Sequence, residues 1–184
     1  RKQARILTEK MDDPAGASLA LSRILAQSPD DLEALTEQTT LLAQQSRWSE
    51  AVETLELRIR CTTTAEDKRT ANIALADILI HRVGDLNRAR RLLKRHLTQF
   101  VHDLEALRLM YDIACAERNW DDARQTLDEI CQDVSPLMHW AKLAYTRIAR
   151  EAEWTNEVRV VYERQAIDAV MGCRDELETL IEDY

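Results

Sequence analysis

Asp31-Leu32-Glu33-Ala34-Leu35 returns unchanged as Asp103-Leu104-Glu105-Ala106-Leu107, 72 positions later. A repeat over that distance raises the question of a period, and the period decides the fold. Working outward, a small residue followed four positions later by leucine occurs at Ala17 and Leu21, Ala51 and Leu55, Ala89 and Leu93, and Ala123 and Leu127. The alanines are separated by 34, 38 and 34 residues, so the longer offset spans two units. Positions i and i+4 share one helix face: the alanine lets a second backbone approach, and the leucine beside it fills the adjoining groove. Three positions ahead of each alanine stands a bulky or ring-bearing residue, namely Pro14, Trp48, Leu86 and Trp120, and Trp154 continues the series. Just before these lie the polar pairs Asp12-Asp13, Ser46-Arg47, Gly84-Asp85, Arg118-Asn119 and Ala152-Glu153. They read as turns into the second helix of each unit.

Between these second helices run first helices with apolar residues near helical period. Leu35, Leu41 and Leu42 mark one, Ile73, Ala76, Leu79 and Ile80 the next, and Leu107, Met110, Tyr111 and Ala114 a third. A fourth follows Pro136, with Trp140, Leu143, Ala144 and Ile148. Only 3 Gly and 3 Pro occur in 184 residues, too few to punctuate a sheet protein. The expected fold is therefore all-α: a right-handed superhelix, or solenoid, of antiparallel helix pairs. Its expected units are residues 1–29 (partial), 30–65, 66–102, 103–135 and 136–168, with a closing helix over 169–184 carrying Leu177, Leu180, Ile181 and Tyr184 on one face.

The pattern resembles the tetratricopeptide repeat (TPR), a helix-turn-helix unit of about 34 residues with a small residue, a large one four later and a closing Pro. Ala17, Leu21 and Pro29 match that closing half, and the other three alanine–leucine pairs follow in phase. The family's Trp-x2-Leu-Gly-x2-Tyr signature is degenerate: Thr39, Asp77, Tyr111 and Tyr145 stand in the place of its Gly. The 38-residue spacing predicts an insertion around Cys61 to Asp67 that lengthens a turn between units, and Glu157 replaces the fifth small residue. The resemblance implies a ligand groove lined by first helices. By phase its positions are Arg82, Arg108, Asp112, Lys142, Thr146 and Arg150. Arg108 and Lys142 match a peptide-clamping lysine in charge, whereas Asp112 and Thr146 stand where the family's clamp uses Asn. Trp48, Trp120 and Trp154 are expected in the core, whereas Trp140 falls outside their phase and is the better candidate for a contact surface, its alternative being ordinary packing under the fifth unit.

The remaining features exclude more than they assign. A net charge of −8 and a pI near 5.1 leave no surplus of cations for general nucleic-acid binding. No apolar run reaches the roughly 18 residues that span a bilayer, and Asp77 interrupts the apolar segment Ile73 to Ile80. The chain opens at Arg1 without an apolar leader, which reads as a fragment lacking its native N-terminus. Cys61, Cys115, Cys131 and Cys173 form no CxxC pair and fit free thiols in a reducing, cytoplasmic setting. His81, His96, His102 and His139 form no HExxH, with His96 and His102 expected to be solvated near a helix exit, and no glycine-rich phosphate loop or GxSxG elbow exists. No catalytic residue, cofactor or metal is expected. The expected function is a protein-interaction scaffold or adaptor holding a polypeptide segment on the groove or edge. The alternatives are a substrate-selecting or regulatory module of a larger enzyme, and a homo-oligomer formed through the terminal helices.

Overall fold

The computed structural model describes residues 14–131, 138–152, 160 and 164. Among them there is no strand. The elements are α1 (Pro14–Gln27), α2 (Leu32–Gln44), α3 (Trp48–Cys61), α4 (Ala65–Ile78) continued by a π-helical turn (Leu79–Val83), α5 (Leu86–Gln99), α6 (Leu104–Ala116), α7 (Trp120–Cys131) and α8 (Met138–Glu151). They group into two compact units, Arg1–Phe100 and Val101–Tyr184. The expectations for the first ten residues, Trp154, Glu157, Cys173 and the closing helix lie outside the described residues.

The alanine–leucine pairs build the packing in both units. Ala17, Ala51, Ala89 and Ala123 are all 0% exposed, and Leu21, Leu55, Leu93 and Leu127 are at 1% or less. At such positions a methyl group is all that fits between two helix backbones, and each leucine contributes roughly 1.5–3 kcal/mol of burial. The repeated pentapeptide does two jobs. Its Asp caps a helix: Asp31 accepts from the Ala34 amide at 3.2 Å, and Asp103 from the Glu105 amide at 3.1 Å. Its Ala and Leu, as Ala34, Leu35, Ala106 and Leu107, enter the core. Leu21 of α1 meets Ala34 of α2 there, with Ile24 and Leu25 packed alongside.

The three predicted turns among the described residues, before α3, α5 and α7, share one backbone device. Ser46, Gly84 and Arg118 have φ of 58°, 79° and 57°, the left-handed geometry that closes a helix. The next residue's amide then reaches back: Arg47 bonds the Leu42 carbonyl at 2.9 Å and Asn119 the Ala114 carbonyl at 2.9 Å. In the middle hairpin the same bond runs from Asp85 to Leu79 at 3.0 Å, spanning one residue more.

That residue revises the expected insertion. The connection between α3 and α4 is three residues long, no longer than its counterparts. Aligning the buried positions Ala34, Leu41 and Leu42 with Ala71, Ile78 and Leu79 shows that α4 begins a full turn earlier than α2 instead. The additional residue sits in the π-helical turn, where an i→i+5 bulge lets a helix absorb one residue without rotating its buried face away. Helix was the cheaper place for these residues, because Thr64 caps α4, accepting from the Asp67 amide at 3.2 Å.

Two other expectations change. His96 is 1% exposed, not solvated. Seven residues after Ala89, it shares the core face of α5, its Nδ1 3.4 Å from the Asn72 amide nitrogen and its ring 4.7 Å from Phe100. Trp48 and Trp120 open α3 and α7 but are half-buried, not enclosed in the core. His102 is exposed, with φ 62°.

Candidate functional site

In the second unit the first helices α6 and α8 place an aromatic and charged cluster on their shared side. On α6, Ala106, Leu107, Ile113 and Ala114 are buried, while Arg108 is exposed and Asp112 half-buried one turn further on. Trp140 lies in the first turn of α8, half-buried. Its ring meets Tyr111 edge-on, with centroids 5.2 Å apart and planes at 81°, and the Arg108 guanidinium stands 5.6 Å from its centroid. Both geometries exploit the ring quadrupole, whose face attracts a cation and whose neighbours prefer an edge. The sequence thus singled out Arg108, Asp112 and Trp140, and the structure brings Arg108 and Trp140 into contact.

Sequence reasoning missed the floor of this cluster. Tyr111, in the place of the family's Gly, is buried. Burial, with the Cys115 thiol beside it one turn along, pushes its hydroxyl far above its ordinary range, so it stays protonated. Burial likewise raises the Cys115 thiol. Arg147 of α8 contributes positive charge to both groups and bonds Glu151 at 2.9 Å. The available signal for Arg147 was its spacing, seven residues from Trp140 and so on the same helix face.

Lys142, Thr146 and Arg150 form a separate strip, four residues apart on α8. At about 100° per residue, Lys142 sits roughly opposite Trp140 around the helix. Its charge bears on Cys131 of α7, whose thiol burial raises. The Thr146 hydroxyl donates to the Leu143 carbonyl at 2.7 Å, and Arg150 is exposed in the last turn. Arg82 belongs to the other unit, in the π-helical turn, with its guanidinium 5.1 Å from the Trp48 centroid. Beside it His81 Nδ1 lies 3.0 Å from Asp77 Oδ1. Among the described residues no group of three His, Cys, Asp or Glu side chains is placed to hold a metal ion, and no helix is long and apolar enough to cross a membrane.

Helical hairpins with a small-residue seam and left-handed closures define a class of fold, the tetratricopeptide repeat. Solved structures agree. The chain is similar to MamA (16% identity over 90% of this chain and 93% of that one, TM-score 0.71) and to YrrB, described as a TPR protein with an unusual peptide-binding site (16%, 90% and 82%, TM-score 0.66). It is also similar to pilF of Pseudomonas aeruginosa (19%, 98% and 79%, TM-score 0.61). No protein-family model and no curated protein matches the sequence. The chain has the tetratricopeptide-repeat fold in degenerate copies.

Proposed function

We propose that this chain is a protein-interaction module, without catalysis of its own, that holds a polypeptide segment against the first helices of its second unit. The observation that carries this reading is the exposed Arg108 over the half-buried Trp140, walled by Tyr111. An indole and a guanidinium already held together offer a flat apolar surface and a fork of donors at little further entropic cost. Asp112 and Arg147 supply one charge of each sign nearby, suited to a peptide backbone with mixed side chains. The peptide-binding description of YrrB, a protein of the same fold, supports a peptide as the partner class. The net charge of −8 favours a polypeptide over a nucleic acid. Free, half-buried Cys61, Cys115 and Cys131 accord with a reducing, cytoplasmic setting.

Selection from a random peptide library on the intact chain tests the proposal. Recovered peptides are expected to lose about tenfold or more in affinity, roughly 1.4 kcal/mol, on Arg108→Glu and on Trp140→Ala. Peptides that bind both variants as tightly as the wild type place the site elsewhere and refute the assignment.

A further inference from the structure

Helix α5 carries five cations in fourteen positions, Arg88, Arg90, Arg91, Lys94 and Arg95, and no acidic residue. This concentration occurs in a chain whose net charge is −8. Arg88, Arg91 and Arg95 line an open cleft of about 380 Å³, completed by Glu56 of α3 and by Leu75, Leu79 and Leu92. All of these residues lie in the first unit. Arg88 is engaged with Glu56, so within the cleft that carboxylate is already neutralised. Arg91 and Arg95 are exposed and make no ion pair among the described residues. They stand four residues apart, which brings their side chains onto one face about 5–6 Å apart at Cβ.

We propose that this cleft is a second docking site, for an acidic amphipathic polypeptide segment, independent of the Trp140 face. Two carboxylates one helical turn apart on the partner match the separation of Arg91 and Arg95, and each guanidinium offers a carboxylate a bidentate fork. An apolar side chain between them fills the leucine-floored space. Because Leu75, Leu79 and Leu92 are 8% exposed or less, the floor adds shape and the arginines carry the recognition. The cleft suits a polypeptide better than a nucleic acid. Its lining holds no aromatic ring on which a base could stack, whereas its leucines accept an apolar side chain.

The test uses fluorescence anisotropy on the intact chain. The probe is a labelled peptide of about 15 residues with glutamate and leucine in an amphipathic helical pattern, compared with the same peptide carrying glutamine for glutamate. Binding is expected for the glutamate peptide and lost for the glutamine one, a comparison that needs no variant to fold. Arg91→Glu and Arg95→Glu are each expected to weaken binding about tenfold or more. Lys94→Glu makes the same charge change on the same helix outside the cleft and is expected to cost less than about threefold. Arg108→Glu is expected to leave this binding unchanged, which separates failure here from failure of the Trp140 assignment. Equal losses for Lys94→Glu and Arg91→Glu would reduce the effect to general electrostatics and overturn the site. Absence of binding, or tighter binding of a single-stranded oligonucleotide sensitive to the same arginines, also overturns it.

Discussion

Ser46, Gly84 and Arg118 hold the same place in three successive hairpins, yet only one is glycine. An L-residue at φ near 58° carries a steric cost of about 1 kcal/mol that glycine does not. Ser46→Gly and Arg118→Gly are therefore expected to stabilise the protein by about 0.5–1 kcal/mol each, less what glycine gives back in unfolded-chain entropy. Gly84→Ala is expected to destabilise by about 1 kcal/mol; nothing lies within 4 Å of a Cβ added there, so the cost is conformational, not a clash. Urea midpoints at unchanged m-value report all three. At this scale the sequence was readable where a residue acts through its neighbours in the chain. The pairs Ser46-Arg47 and Arg118-Asn119 marked turns because polar residues close helices locally. The fate of His96 was not read, although its phase with Ala89 and Leu93 contained it, because a histidine near a helix end is as readily solvated as packed. What decided it was Asn72, 24 residues away.

A second kind of constraint appears along each helix, where periodicity is enforced by what packs against it. Ala123→Leu adds bulk to a position with no exposed surface and is expected to cost about 1–3 kcal/mol, whereas Ala116→Leu, on the exposed last residue of α6, is expected within about 0.5 kcal/mol of wild type. Equal denaturation midpoints for the two would contradict the seam. The seam was legible because a repeat writes the same contact several times over. The extra residues of the middle hairpin were legible as a count but not as a place. A 38-residue spacing says how many residues are added, and only the competition between loop and helix says where they go. Thr64 caps an earlier start for α4, and Gly84 supplies a left-handed closure after the π-helical turn. Deleting Val83, exposed in that turn, is expected to convert it to an ordinary α-helical ending while the protein stays folded. Loss of the fold would mean the bulge is structurally required. The candidate site was legible only in part for a related reason. Arg108 and Lys142 occupy equivalent positions in repeat phase, but the Trp140 ring belongs to one helix of the pair, so the sequence could not show which charge it would accompany.

For the molecule as a whole, charge and burial act together through pH. The chain is acidic at neutrality, and burial holds three groups of its second unit in their neutral forms. The Cys115 and Cys131 thiols are raised above their ordinary value of 9.0, and the Tyr111 hydroxyl above 10.0. A group whose pKa is higher in the folded than in the unfolded state binds its proton more tightly when folded. Its contribution to stability is therefore complete below the unfolded pKa and is lost as pH rises past that value toward the folded one. Added negative charge on an already acidic surface works in the same direction. The melting temperature is expected to hold steady from about pH 7 to 8.5, to begin falling near pH 9 as the unfolded thiols ionise, and to fall further above about pH 10 as the unfolded tyrosine does. Surface repulsion alone predicts the same decline whether or not the thiols are present, so the two causes can be separated. In the Cys115→Ala, Cys131→Ala double variant, the first part of the fall should flatten while the part above pH 10 remains. An unchanged slope between about pH 8.5 and 10 in that variant would assign the loss to surface charge instead of to the buried thiols.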